Sequence, residues 1–176
     1  MSIRVNAKFV PWRERKAAKA ATSSAKNKFR SGSDVFSMIL ESHRPLDLVT
    51  IMLGTNDLKL EFDLSVEEIA QGVKELCEIV LSSEYLIDNP PKLLLISPIH
   101  IGSTIQPDQE EFFEQAREKS YQFAEHYQRV AEELGIHFLD AAKIVSPSEG
   151  EGVHWDADQH IKFGKVLAQK ATEILL

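Results

Sequence analysis

Leu48-Val-Thr-Ile-Met-Leu-Gly-Thr-Asn-Asp57 decides the fold class. Its first six residues are apolar except for one threonine. A short run of that kind, rich in β-branched residues, reads as a strand covered on both faces. The Gly-Thr-Asn-Asp that follows is a tight polar turn. Two further runs of this type lie downstream, Lys92-Leu-Leu-Leu-Ile96 and Ile136-His-Phe-Leu139. Between and after them come helical patterns. Ser65-Val-Glu-Glu68 forms a capping box ahead of Ile69, Val73, Leu76, Ile79 and Val80 at helical spacing. A single long helix is predicted from Asp108 to Leu134. Its apolar side carries Phe112, Phe113, Ala116, Phe123, Tyr127, Val130 and Ala131, with Gly135 as the residue that ends it. Asp156 and Gln159 resemble a second capping box, opening a last helix through Val166, Leu167, Ala171 and Ile174. Alternation of strand and helix implies parallel pairing through βαβ crossovers. The expected fold class is therefore α/β, with three layers around a parallel sheet.

Upstream, the chain changes character. Ile3, Val5, Ala7 and Phe9 alternate with polar residues as in a short half-buried strand, which Pro11 stops. Residues 1–30 hold nine Lys/Arg and one acid, whereas the remainder holds 11 Lys/Arg and 26 Asp/Glu. A basic arm on an acidic body can contact anionic lipid or nucleic acid. Residues 13–28 are rich in Ala, Ser and Lys with almost no aromatic residue for base stacking, so a poorly ordered segment is expected and nucleic acid is not the expected partner. Ser33 is placed to cap a short helix with Val35, Phe36, Ile39 and Leu40, ending before Pro45. At 176 residues and 43% apolar composition, the chain suits one domain. No apolar run reaches bilayer length and the N-terminus lacks the apolar core of a secretory signal, so a cytoplasmic location is expected. The single cysteine, Cys77, reads as a small buried hydrophobe.

In open parallel sheets, ligands bind beyond the carboxyl ends of the strands. Those positions hold Gly54-Thr-Asn-Asp57, Ser97-Pro-Ile-His100, Asp140-Ala-Ala142, and a loop with Glu151-Gly-Val-His-Trp-Asp156. Each segment has an ordinary reading as turn, helix cap or surface histidine. Taken together, an amide donor and a histidine with a carboxylate three residues before it outline an acyl-transfer site.

Asp47 to Lys59 resembles the Gly-x-Asn-Asp block of SGNH (GDSL-like) hydrolases, nearest to the arylesterase branch. Glu151 to Gly164 resembles that family's Asp-Gly-x-His block and the helix after it. Lys92 to Pro98 matches the intervening strand. The resemblance runs in order over about residues 36–176 and implies the flavodoxin-like SGNH fold. It implies that Asn56 gives its side-chain NH₂ to an oxyanion and that Gly54, with Thr55, lies on the substrate-binding side. His154 would move the proton and Glu151, where the family has Asp, would orient the ring. Asp140 and Asp156 are alternative carboxylates. The implied substrates are small-molecule carboxylic esters or thioesters, with no cofactor and no metal.

The sequence departs from the family in one respect that matters. The nucleophile block, Gly-Asp-Ser, occurs nowhere, and 46 residues before Asp47 cannot hold the two βα units that would precede it. Gly32-Ser33-Asp34 has the residue types in another order and reads as a turn. Ser23, Ser24 and Ser37 lack a nucleophile-elbow context, while Ser97 and Ser103 lie near the expected pocket face. The N-terminal strand units are thus expected to be truncated or replaced, leaving residues 31–176 as a partial hydrolase domain. A sheet edge left bare in this way predicts self-association, unless residues 3–10 cover it. Three functions compete: an esterase, a non-catalytic remnant, and a binding module whose basic arm contacts anionic partners. Among the other histidines, His43, His126 and His160 are expected at the surface, His137 in the core, and His100 near the pocket.

Overall fold

The computed structural model describes residues 33–82, 91–113 and 115–176. The expected strand at 3–10 and the basic segment 1–30 lie outside them. The described elements run α1 (Ser33–Ser42), β1 (Leu48–Ile51), 3₁₀ turns at Thr55–Leu58 and Leu60–Phe62, α2 (Val66–Leu81), β2 (Lys92–Ser97), α3 (Pro107–Glu110), α4 (Ala116–Ser120), α5 (Phe123–Leu134), β3 (His137–Asp140), a 3₁₀ turn at Ala141–Lys143, and α6 (Ala157–Leu175). The strands form one parallel sheet in the order β1-β2-β3. Leu48 pairs with Lys92 and Ile51 with Leu95; Leu94 pairs with His137 and Ser97 with Asp140.

β2 is the centre of this sheet, and its residues alternate between two cores. Leu93 and Leu95 join Val49, Ile51, Ile69, Val73, Leu76, Phe123 and Tyr127 on one face. Leu94 and Ile96 join Ile99, Val145 and Phe163 of α6 on the other. This is the three-layer α/β arrangement that the unbroken apolar run implied. α2 starts where the sequence places it. Ser65 Oγ accepts from Glu68 N at 3.2 Å, and Ser65 N donates to the Glu68 carboxylate at 2.9 Å. Gly135 ends α5 in the left-handed region at φ 63°.

The single helix expected from 108 to 134 is instead three pieces. Gln115 takes φ 64°, which breaks right-handed propagation, and a second turn intervenes before Phe123. The break swings Phe113 into the core and leaves Phe112 exposed, so only one of that aromatic pair serves the apolar side. It also places Ser120, fully buried, where its hydroxyl accepts from Ile101 N at 2.9 Å and donates to Arg117 O at 2.7 Å. Two histidines exchange their expected places. His126 is buried, with Nε2 3.6 Å from Glu67, because it shares the α5 face with Phe123 and Val130. His137 is exposed, at the start of β3. His43 is half-buried, with Nδ1 2.9 Å from Ile39 O. No helix among the described residues is long and apolar enough to cross a membrane.

Candidate active site

Met52 and Leu53 lead from β1 to Gly54, which is buried, with φ 124° and ψ −26°. A side chain there would be strained by the backbone and would meet Tyr127 Oη at 2.2 Å. The turn that follows is closed by Asp57 N donating to Gly54 O at 3.0 Å. Thr55 and Asn56 are half-buried and Asp57 is fully buried. The Asn56 side-chain amide makes no hydrogen bond among the described residues, so its two N–H donors remain available.

The segment after β3 supplies the second group. His154 Nδ1 lies 2.6 Å from Glu151 Oε1, and the other Glu151 oxygen accepts from Val153 N at 2.9 Å and His154 N at 2.5 Å. Burial alone would raise the Glu151 carboxyl. The amides of His154 and Val153, with the imidazole, outweigh it and hold the group below the usual carboxylate range. With Nδ1–H committed to a carboxylate, Nε2 is the nitrogen that can accept a proton. The ring is three-quarters exposed, while Glu151 is only 22% exposed.

This loop is fixed from several sides. Ser148 N donates to His154 O at 2.7 Å, and Gly152 N donates to Ser148 O at 3.0 Å. Gly102, in the loop after β2, donates to Gly152 O at 2.7 Å; Gln106 N donates to Glu151 O at 3.4 Å. Gly152 has φ 80°, and a Cβ there would lie 2.2 Å from Thr104 O. Beside His154, Trp155 packs against Phe163, with ring centroids 4.9 Å apart. The structure therefore joins Glu151 to His154 and ties both to the exit of β2. Asn56 stands at the exit of β1, at the same end of the sheet.

The remaining sequence candidates have other partners. Asp156 begins α6 without capping it, because its carboxylate is taken by the Ser148 hydroxyl; Gln159 turns to Ser146 N and Asp158. Ser97 is fully buried and donates to Asp140 at 3.1 Å, across the β2–β3 pair, and Asp140 also accepts from Ala142 N at 3.0 Å. Both act as scaffold. Ser103 is exposed. His100 is half-buried and packs edge-on against Tyr121 at 4.7 Å. Cys77 is buried, and burial, with Glu78 nearby, pushes its thiol up to about 12, far from thiolate reactivity. Among the described residues no group of three or more His, Cys, Asp or Glu is placed to hold a metal ion. A groove of about 450 Å³ runs beside β3, lined by Asp140 together with Ala131, Ile136, Phe138, Ile144 and Val166; Asn56, Glu151 and His154 do not line it. Gly102, Ser148 and Tyr127 were not legible as site residues, since each matters only through a partner distant in sequence or through a loop bond.

A family model described as GDSL-like lipase/acylhydrolase matches residues 5–165. The chain is similar to the solved structure of Est24, a carbohydrate acetylesterase from Sinorhizobium meliloti, at 32% identity and TM-score 0.81, covering 90% of this chain and 74% of that one. It is similar to the aryl esterase of M. smegmatis at 29% identity and TM-score 0.84, covering 92% and 75%. A putative arylesterase from Agrobacterium tumefaciens shares 34% identity at TM-score 0.78, covering 92% and 76%. No curated protein matches.

Proposed function

The chain belongs to the GDSL-like lipase/acylhydrolase family, and from that premise we propose that it is an ester hydrolase scaffold with impaired turnover. The observation that carries this reading is the Glu151–His154 pair at 2.6 Å, joined with an unengaged Asn56 amide, in a chain with no Gly-Asp-Ser. The substrates are small-molecule carboxylic esters or thioesters. In this reading Asn56 donates an N–H to the carbonyl oxygen as it becomes anionic. Water attacks the carbonyl carbon while His154 Nε2 takes its proton, and Glu151 stabilises the imidazolium. The tetrahedral species then collapses, and His154 returns the proton to the departing alkoxide or thiolate. Gly54 and Thr55 form the wall beside the oxyanion. Sites lacking a nucleophile retain about 10³–10⁴-fold over water, so turnover is expected at that level or below.

The test is hydrolysis of p-nitrophenyl acetate and butyrate by the purified chain and by His154→Ala, with fluorophosphonate labelling in parallel. Slow turnover that vanishes in the mutant, without covalent labelling, is expected. Labelling would reveal a serine nucleophile and overturn the water route. Equal background rates in both proteins would favour the second reading, a non-catalytic remnant, for which the missing serine motif speaks.

The edge of the sheet enters the same proposal. Among the described residues β1 pairs only with β2, and Thr50 and Met52 are exposed on that strand and just beyond it. This edge, unpaired among the described residues, is proposed to pair with a second copy of the chain.

A further inference from the structure

Tyr127 belongs to α5, far from the turn in sequence, yet its whole side chain is buried and its hydroxyl donates to Leu53 O at 2.7 Å. Leu53 O is the carbonyl of the peptide that opens the Gly54 turn. The same hydroxyl fills the space a Cβ on Gly54 would need, at 2.2 Å, and the ring carbon bearing it lies 3.4 Å from that position. Ile69 of α2 closes the other side at 3.3 Å. The Leu53–Gly54 peptide is therefore held by one hydrogen bond and two packing contacts, and Asn56 stands two residues on. Below the turn, the ring meets Phe123 at 5.3 Å between centroids, which fixes the phenol from the α5 side. Burial, with Asp57 and Cys77 nearby, pushes the phenol's ionisation well above its ordinary value, so it remains a neutral donor.

We propose that Tyr127 is a positioning residue for the oxyanion donor: its hydroxyl sets the Leu53–Gly54 peptide and, through it, the place of the Asn56 amide. This rests on the reading of Asn56 as that donor. The groups facing the phenol from the elements packed on it are Asp57 from the turn and Cys77 from α2. Asp57 carries an accepting carboxylate, but the hydroxyl gives its hydrogen bond to Leu53 O at 2.7 Å. Tyr127→Phe keeps the ring and deletes only the positioning bond.

The experiment reads the Asn56 side-chain NH₂ cross-peaks of the full chain by NMR, assigned by their loss in Asn56→Asp. In Tyr127→Phe those peaks are expected to shift while the Trp155 indole peak on the His154 loop stays in place. Where ester turnover is measurable, kcat falls about ten-fold with KM unchanged, the signature of a contact used in the transition state. Gly54→Ala approaches the same bond from the other side, since its Cβ displaces the hydroxyl, and is read if Tyr127→Phe does not fold. Asn56 peaks that are unmoved in the variant read would overturn the proposal. Absence of ester turnover in the wild type would sink the esterase reading alone, because the amide peaks report Tyr127 without it.

Discussion

Glu151→Gln is the sharpest perturbation of the site, because it removes a charge at nearly constant volume. The carboxylate accepts three hydrogen bonds, from Val153 N at 2.9 Å, His154 N at 2.5 Å and His154 Nδ1 at 2.6 Å. Hydrogen bonds to a charged group contribute about 1.5–3 kcal/mol each, against about 1 kcal/mol for neutral pairs. Glutamine keeps one accepting oxygen, so the expected loss is about 2 kcal/mol, or about 4–8 °C in Tm for a chain of this size. The pH dependence follows from the direction of the shift. The folded carboxyl is held below its ordinary value by the three N–H donors, against burial. Its contribution is therefore complete above the unfolded value, about 4.3, and is lost as pH falls through the lower folded value. Urea unfolding of wild type and mutant, followed by tryptophan fluorescence, should show the gap at about pH 7 and its closure below about pH 4. A gap that persists in acid, or no gap at neutral pH, would refute this account of the Glu151–His154 pair.

Gly152→Ala should cost about 3 kcal/mol or more, since its Cβ would meet the Thr104 carbonyl at 2.2 Å on a backbone already at φ 80°. Gly150→Ala, at φ 82° with nothing within 4 Å, should cost only the left-handed strain of about 1–2 kcal/mol, and urea midpoints of the two variants measure the difference. For the proposed pairing of the β1 edge, Thr50→Lys should shift the chain toward monomer in sedimentation velocity; an unchanged distribution would remove β1 as the interface.

The strands and α2 were legible because their signals are local. The Leu93–Ile96 run is apolar at every position, and Ser65 with Glu68 spells out a helix start within four residues. The break at Gln115 was not legible. Glutamine carries no left-handed signal, and what holds the break is tertiary: Phe113 entering the core and Ser120 taking Ile101 N. Asp156 looked like a cap, and only the folded loop shows Ser148 claiming its carboxylate. His126 and His137 were misplaced for a related reason, since helix phase and strand offset follow from that break and from where β3 starts. At the site, the Glu151–His154 spacing was readable at three residues. The clamp from Gly102 and the phenol of Tyr127 reach it from other elements, and no periodicity in one segment reports them.

The two faces of β2 close at different times during synthesis. Leu93 and Leu95 are covered by α2, made before β2, and by Phe123 and Tyr127 of α5, whereas the shelter of Leu94 and Ile96 includes Phe163 of α6. Until α6 emerges, the apolar run Leu93–Ile96 has one face incompletely covered and open to any chaperone within reach, beside other nascent copies. Because Trp155 adjoins His154 and packs on Phe163, the same late docking event secures the His154 loop. Maturation of the fold and assembly of the site would thus be a single step, gated by the arrival of the final helix.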